Sequence, residues 1–407
     1  MRYIICFFLL FFLSSCSNGS KEQRLKKTNI ANDLYDFKKY KTLDEYTNNY
    51  RSYIGKYRSG ISKLDIERLA PLAKKADSSC SKKSGFILVH GLSDSPFMML
   101  DITNSISQKN PCSIINIPIL PGHALVPGAS LEATNEQWIG AVDLAVKDLR
   151  NSSVESITMI GFSTGSALSL HHVLSNYDSN QDIKLVLISP AFDLSLSWYK
   201  VAALQVMSFI GNLSNSFGYM DKYGDVNPYK YESFSYNGVN ELHKLTKKIK
   251  KLLDKVNVVN NGIVLFASAE DSTINQQTSL DLSSKYFKNL SGGVVYSPTN
   301  ISNVLNGVVV QNPQSASDKI VDLSHVSLPI SPKNIVFGKN AKINYGCLHY
   351  VDKDNPELLA SCESFSNDFY YGETNNANLS KYPKFSRIQY NPLYDDLIER
   401  LLKFIEN

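Results

Sequence analysis

The sequence SITMIGFSTGSA, residues 156–167, decides the fold of this chain. Its apolar first half is typical of a strand buried on both faces, and a helix-compatible stretch follows it. Between them lies G-x-S-x-G, a strand-to-helix turn so tight that the residues flanking the serine must be small. Gly161, Gly165 and Ala167 meet that requirement. The hydroxyl of Ser163 is therefore expected above the sheet, at the N-terminus of a helix.

Short apolar strand candidates alternate with helical patterns on both sides of this turn. The predicted strands are residues 86–89, 113–119, 156–160, 183–188, 263–267 and 293–296. This alternation predicts an α/β fold with a doubly wound, mostly parallel sheet and right-handed crossovers. Helical, aromatic-rich sequence interrupts the alternation at about residues 193–255, and we interpret it as an inserted helical cap.

Composition excludes several classes of protein. The chain has 407 residues, 43% of them hydrophobic, which is enough for one large domain or two ordinary ones. Its 42 Lys and Arg against 38 Asp and Glu give a net charge of only +4, so no nucleic-acid partner is expected. HExxH, paired Cys-x-x-Cys, G-x-G-x-x-G and Walker-type motifs are all missing from the sequence. We therefore expect neither a metal nor a cofactor.

The first 15 residues have the pattern of an export signal. Arg2 precedes the apolar stretch 3–13, which is too short to span a bilayer. The Leu-Ser-Ser-Cys that ends at Cys16 resembles the lipobox of bacterial lipoproteins, in which the cysteine becomes the lipidated N-terminus. A serine directly after the cysteine, here Ser17, resembles the pattern of lipoproteins that are sent to the outer membrane. The resemblance implies a lipid-anchored protein of the bacterial cell envelope, periplasmic or surface-exposed. The alternative is an ordinary cleaved signal with an incidental cysteine.

Residues 16–82 are interpreted as an N-terminal tether followed by a helical segment, ahead of a catalytic domain at 83–407. A capping box begins at Thr42. Tyr46, Tyr50 and Tyr57 then recur at helical spacing, which predicts a helix packed against the main domain.

Export places the remaining cysteines in an oxidising compartment. Cys80, Cys112, Cys347 and Cys362 allow three disulfide connectivities. We favour the sequential pairing, because Cys80 and Cys112 each lie just before a predicted strand.

A serine nucleophile needs a base that accepts its proton and an acid that orients the base. In the chain order of this architecture both follow Ser163. His325, in a loop after an apolar pair, is our choice of base, with His349 as the alternative. Two carboxylates follow the strand after the cap, and Asp271 is preferred over Glu270 because it directly precedes Ser-Thr-Ile.

Backbone donors for a carbonyl oxyanion are predicted from the turn after the first strand. His90 and Gly91 match the H-G-containing loop that supplies one such N–H. The N–H groups of Leu92 and Thr164 are the proposed donors. His90 itself is interpreted as shaping the loop, because it precedes the nucleophile in the chain.

Several motifs together resemble bacterial α/β-hydrolases of the carboxylesterase, monoacylglycerol lipase and serine-aminopeptidase-like group. They are GFILVHGLSDSPF at 85–97, LPGH at 120–123, GFSTG at 161–165, SPA at 189–191, PYKYESF at 228–234, SAEDST at 268–273 and the His325 loop. The resemblance covers about residues 64–352 and implies an α/β-hydrolase fold with a triad of Ser163, Asp271 and His325. Ala124 departs from the glycine usual after PGH. The polar stretch 297–319 is expected to form an extra loop near the site.

The expected activity is hydrolysis of carboxylic esters, of small-molecule, lysophospholipid or monoacylglycerol type, through an acyl-enzyme on Ser163. A serine aminopeptidase would need acidic groups in the cap, but residues 193–255 contain six acidic and nine basic side chains. Acyl transfer on the same triad stays open. A non-catalytic lipoprotein that binds a ligand is a further alternative, although such a protein would not need the complete triad and oxyanion loop.

Overall fold

The sheet and its satellite strands can be followed in a computed structural model that describes residues 23–194, 196–213, 217–222, 227–301, 305–348 and 368–406. Its strands are β1 Ser84–Val89, β2 Ser113–Asn116, β3 Ser156–Phe162, β4 Lys184–Ile188, β5 Tyr219–Asp221, β6 Phe234–Ser235, β7 Ile263–Ser268, β8 Leu290–Tyr296, β9 Val308–Gln311, β10 Tyr370–Gly372 and β11 Phe385–Arg387. Seven of them form one sheet in the order β2-β1-β3-β4-β7-β8-β9.

Every neighbouring pair in this sheet is parallel. The inner strands are buried almost throughout, as expected when helices cover both faces. All six predicted strands are confirmed, although β2 ends three residues earlier than predicted. The chain has the doubly wound α/β-hydrolase fold.

The helices connect and flank these strands. They are α1 Ala31–Leu34, α2 Leu43–Tyr57, α3 Lys63–Leu69, α4 Leu100–Lys109, α5 Asn135–Asn151, α6 Thr164–Ser175, α7 Trp198–Leu213, α8 Tyr236–Val256, α9 Gln276–Tyr286, α10 Tyr345–Leu348, α11 Asn376–Lys381 and α12 Tyr394–Glu406. Helix α6 packs on β1, β3 and β4, whereas α12 packs on β7 and β8. No helix in the described part of the chain has the length and apolar character needed to cross a membrane.

The expectation that residues 297–319 form an extra loop was wrong in part. They contain β9 and a short 3-10 helix, Pro313–Ala316. β9 pairs with β8 and extends the sheet at its edge. Its valines are only partly buried, with Val309 41% exposed, so the segment lacks the continuous buried pattern that marked the inner strands.

The N-terminal helix predicted from its capping box is confirmed as α2. Thr42 caps it by accepting the N–H of Glu45. Tyr46 and Tyr50 are fully buried, and their hydroxyls donate to the carbonyl oxygens of Ile119 and His123 at 3.0 and 2.6 Å. The helix therefore supports the loop that carries the LPGH motif.

The cap lies between β4 and β7 and contains α7 and α8. Helix α8 packs on α6 and α7, and several of its lysines form ion pairs within the protein. Lys244 pairs with Glu241, and Lys248 pairs with Glu136. Helix α8 thus attaches the cap to the core directly beside the helix that follows Ser163.

The predicted disulfide between Cys80 and Cys112 is confirmed. It joins the segments that lead into β1 and β2. Cys347 is disulfide-bonded as well. Its predicted partner Cys362, the alternative base His349 and the predicted lipidation residue Cys16 lie outside the described residues.

Candidate active site

The turn that carries Ser163 is held in a conformation that few residues adopt. Ser163 has φ 53° and ψ −115°, between the end of β3 and the start of α6. A Cβ at Gly165 would lie 1.9 Å from the carbonyl oxygen of Val89, and one at Gly161 would lie 2.4 Å from the backbone of Ser166. Only glycine fits at both positions, which explains the motif sterically. A non-glycine residue at positive φ is a strain typical of functional sites.

The structure brings Ser163, His325 and Asp271 into one hydrogen-bonded chain. The Nδ1 atom of His325 lies 2.5 Å from Oδ2 of Asp271, and its Nε2 atom lies 2.9 Å from Oγ of Ser163. An ionised carboxylate can only accept, so Nδ1 carries the hydrogen and Nε2 is free to accept the serine hydroxyl hydrogen. All three residues are buried, with His325 3% and Ser163 6% exposed.

Asp271 is oriented by its own turn. Its second oxygen, Oδ1, accepts the N–H groups of Thr273 and Ile274 at 2.9 and 3.3 Å. The Ser-Thr-Ile that follows the acid in sequence thus supplies the donors that aim Oδ2 at His325. Glu270, the alternative carboxylate, is partly buried and forms no part of this chain.

Hydroxyl groups fix the backbone of the His325 loop. Ser268, at the end of β7, donates to the carbonyl oxygen of Leu323 at 2.6 Å. Ser189 donates to the carbonyl oxygen of His325 at 3.3 Å. The base is therefore held against the ends of β4 and β7, close to the nucleophile and the acid.

A buried ion pair that sequence reasoning missed completes this support. Glu373 is fully buried, and its Oε2 accepts the backbone N–H of His325 at 3.0 Å. Arg387 at the end of β11 pairs with Glu373 at 2.9 Å and donates to Oγ1 of Thr273 at 2.8 Å. Thr273 in turn binds Asp271, so Glu373 and Arg387 link the loop of the base to the turn of the acid.

Burial by itself would raise the pKa of the Glu373 carboxyl. The positive charge of Arg387 and the N–H donors of His325 and Thr374 outweigh burial, and the pKa is lowered. Glu373 is therefore ionised at neutral pH. In the sequence, Glu373 is marked only as a charged residue after a short strand-like run, which is a weak signal for a residue that supports the site.

The predicted oxyanion loop lies against the nucleophile. A Cβ at Gly91 would lie 3.1 Å from Cβ of Ser163, and Leu92 lines the cavity above it. Thr164 is the first residue of α6, so its N–H has no partner within the helix. Leu92 and Thr164 thus both lie beside Ser163, and the binding of an oxyanion by their N–H groups stays a prediction.

His90 is buried within the same loop. Its Nδ1 donates to the carbonyl oxygen of Gly91 at 2.9 Å, and its Nε2 accepts the N–H of Leu120 at 3.1 Å. Burial and the neighbouring His123 ring lower its pKa well below the usual value, so His90 is neutral. His90 joins the oxyanion loop to the LPGH loop, in agreement with its interpretation as a loop-shaping residue.

A cavity of about 440 Å³ opens over Ser163 and His325. Its wall is mainly apolar and comes from the cap and from the loops around the site. The apolar lining side chains include Leu194, Leu196, Met220, Leu242, Ile274 and Val326. Among the described residues, no group of three or more His, Cys, Asp or Glu side chains is arranged to hold a metal ion.

Comparisons with known proteins find similar structures but no similar sequences. No protein-family model and no curated protein matches the chain. The chain is similar to a structure of the metagenome-derived lipolytic enzymes LipS and LipT, with 16% identity and a TM-score of 0.44 over 55% of this chain and 84% of the other.

Two further structures are similar over comparable lengths. Est1E from Butyrivibrio proteoclasticus with ferulic acid bound has 16% identity and a TM-score of 0.39 over 55% and 84% of the two chains. A monoacylglycerol lipase of Paleococcus ferrophilus has 14% identity and a TM-score of 0.40 over 59% and 86%. The fold assignment rests on the parallel sheet order and on the turn at Ser163.

Proposed function

We propose that this chain is a serine hydrolase that cleaves carboxylic esters through an acyl-enzyme on Ser163. One observation carries the proposal: an unbroken hydrogen-bonded chain from Asp271 through His325 to the Ser163 hydroxyl, placed at the floor of an apolar cavity. A nucleophile, a base and an orienting acid in this arrangement are the parts that acyl transfer requires.

In the proposed acylation step, His325 Nε2 takes the proton of Ser163 as Oγ attacks the ester carbonyl carbon. The N–H groups of Leu92 and Thr164 donate to the carbonyl oxygen as it becomes negative. Asp271 stabilises the imidazolium that forms. The imidazolium then gives its proton to the leaving alkoxide, and an acyl-enzyme remains.

In the deacylation step, His325 removes a proton from a water molecule that attacks the acyl carbonyl. Collapse of the second tetrahedral intermediate releases the carboxylic acid and returns the proton to Ser163. When water attacks the acyl-enzyme the reaction is hydrolysis, whereas an alcohol that attacked in the same position would make the reaction an acyl transfer.

The apolar lining of the cavity favours an ester with a hydrocarbon acyl chain, of carboxylesterase, monoacylglycerol or lysophospholipid type. Lipidation of Cys16 is part of the same proposal. An anchor at the outer membrane would keep the enzyme beside lipid esters in the cell envelope.

The test is hydrolysis of p-nitrophenyl esters from short to long acyl chains, with labelling by a fluorophosphonate probe. The Ser163→Ala and His325→Ala variants are expected to lose about 10⁴-fold or more in kcat. Ser175→Ala is a matched control, because this serine lies on the same helix and binds His171 rather than the triad. It is expected to keep both activity and labelling.

Other results would contradict parts of the proposal. Full activity of His325→Ala would move the base to His349. Product formed with added methanol in place of water would favour an acyltransferase. Cleavage of aminoacyl amides in place of esters would favour a peptidase. If the parent protein neither hydrolyses any ester nor is labelled at Ser163, the chain is a non-catalytic binding protein.

A further inference from the structure

A second cavity of about 280 Å³ adjoins the catalytic cavity. The two share four lining residues, which are Asp94, Asn227, Lys230 and Tyr231. The walls differ in character, because the second cavity is lined by three cationic side chains, Arg24, Arg58 and Lys230, and by a single carboxylate, Asp94. Two of the cations come from the N-terminal segment, outside the stretch that resembles the hydrolase family.

Arg58 is a partly buried guanidinium that forms no close ion pair with the described residues. It lies at the C-terminal end of α2, and its hydrogen bond goes to the carbonyl oxygen of Ala124 at 3.4 Å. Among the described residues no carboxylate lies within ion-pair distance of it; Asp65 pairs closely with Arg68 and acts on Arg58 only from a longer distance. A buried charge left unpaired is costly, and a guanidinium presents a planar set of donors that fits a carboxylate or a phosphate.

A second polar group beside this cavity makes no hydrogen bond within the protein. The hydroxyl oxygen of Ser93 is buried and makes no hydrogen bond, although Ser93 is only 6% exposed. The backbone of Ser93 has φ 66°, in the left-handed region. Native proteins leave few buried polar groups unsatisfied, and those that exist call for an explanation such as a bound ligand.

Lys230 lies on the boundary between the two cavities. Its ammonium group is 3.3 Å from Asp94, and both side chains line both cavities. This pair neutralises Lys230, so an anionic ligand in the second cavity would meet Arg58 of the N-terminal segment.

We propose that the second cavity is a subsite for an anionic group, a phosphate or a carboxylate, on the alcohol part of the ester. The acyl chain occupies the apolar catalytic cavity, and the anionic end of the alcohol binds Arg58 and, after rotation of its buried side chain, the hydroxyl of Ser93. The preferred substrates are then acyl esters of anionic alcohols. This inference rests on the proposed function, because it assigns the two ends of an ester that Ser163 cleaves.

Three esters with one acyl chain test it: 1-decanoylglycerol, 1-decanoylglycerol 3-phosphate and 3-decanoylglycerate, all below their micellar concentrations. We expect kcat/KM to be at least tenfold higher for one or both anionic esters. Arg58→Gln should lower kcat/KM for those esters about 10- to 100-fold, as expected for the loss of a charged hydrogen-bonding partner. It should change that of the neutral ester less than twofold.

Two variants control this experiment. Lys63→Gln removes the same charge from an exposed position close in sequence, so it should leave all three esters unchanged. Arg58→Lys keeps the charge and should restore part of the preference. A preference for the phosphate ester alone assigns the subsite to phosphate, and one for the glycerate ester alone assigns it to a carboxylate. Equal rates on all three esters, unaffected by Arg58→Gln, overturn the inference and leave the esterase proposal standing.

Binding without turnover separates the two proposals. In Ser163→Ala, calorimetric titration with glycerol 3-phosphate and with glycerate should detect binding that Ser163→Ala/Arg58→Gln loses. Binding without hydrolysis of any ester by the parent supports the subsite and contradicts the proposed function. Hydrolysis of the neutral ester without binding of either anion contradicts the subsite alone.

Discussion

Replacing Glu373 by glutamine tests whether the C-terminal segment holds the base of the site in place. Glu373 accepts the backbone N–H of His325 at 3.0 Å and pairs with Arg387 at 2.9 Å. It is absent from the lining of the catalytic cavity and fully buried, so substrate is not expected to touch it. Glutamine keeps the shape of the side chain, removes its charge and replaces one of its two acceptor oxygens by an amide donor.

The expected effect on catalysis follows from the bond to His325. A hydrogen bond to a charged group contributes about 1.5–3 kcal/mol, and one between neutral groups about 0.5–1.5 kcal/mol. The midpoints of the two ranges differ by about 1.2 kcal/mol, which corresponds to about an eightfold loss of kcat if this bond restrains His325 in its reactive position. We expect KM to change less than kcat, because Glu373 does not line the cavity and only its partner Arg387 does.

The same substitution has a larger effect on stability. It removes the carboxylate that pairs with the guanidinium of Arg387, a side chain that is 12% exposed. Removing one partner of a buried pair costs about 3–5 kcal/mol, and the remaining bond to Thr273 places this case near the lower value. Urea unfolding at pH 7 measures this loss.

Glu270→Gln is the matched control for the charge change. Glu270 adjoins Asp271 in sequence but does not bind His325, so its variant should keep kcat within twofold. If Glu373→Gln lowers stability and yet has the kcat of this control, Glu373 is structural and does not position the base. Should the single variant fail to fold, Glu373→Gln/Arg387→Met is compared with Arg387→Met, because Arg387 itself lines the cavity and binds Thr273.

Three further substitutions test the steric, electrostatic and covalent features of the fold. Gly165→Ala should lower the free energy of unfolding in urea by about 3 kcal/mol or more and abolish activity, because its Cβ would overlap a carbonyl oxygen of strand β1. Gly60→Ala is the control: Gly60 has open space around it, so this variant should cost only about 1 kcal/mol for its positive φ. Burial lowers the pKa of His171 to about 4, so between about pH 6.5 and pH 4 the unfolded chain binds a proton that the folded chain does not. Between pH 7 and pH 5 the parent should therefore lose about 2 kcal/mol more stability than His171→Gln. An equal loss in both proteins would contradict this. Replacing Cys80 and Cys112 by alanine should lower stability by about 4 kcal/mol for a sequence separation of 32 and leave kcat at 25 °C unchanged.

The features predicted correctly from sequence are those with local physical signals. Buried parallel strands are continuous apolar runs whatever surrounds them, and the tight turn at Ser163 excludes side chains at two fixed positions. The candidate base and acid followed from chain order, because parallel strands end at one edge of the sheet and their following loops meet there. The helix α2 was predicted from its cap and the spacing of its tyrosines.

The features that were missed depend on distant partners. Glu373 lies 48 residues after His325, and its burial follows from its pairing with Arg387 rather than from its neighbours in sequence. In the sequence such a residue is indistinguishable from an exposed glutamate. β9 was missed for a different reason, because an edge strand is only half covered and its valines lie within polar sequence.

The two ends of the described chain are integral to the site because each is bonded to a loop that forms it. Helix α2 places two tyrosine hydroxyls on the carbonyl oxygens of Ile119 and His123, and the LPGH loop is joined through His90 to the oxyanion loop. A displacement of α2 would therefore move the predicted oxyanion donors as well as Arg58. Glu373 restrains the base in the same way from the C-terminal side. The strands of the core fix where the nucleophile and the acid lie. The segments that carry α2 and Glu373 lie outside the stretch that resembles the hydrolase family, and they restrain the loops of the site. Substrate preference can therefore change in this chain without any change to the sheet.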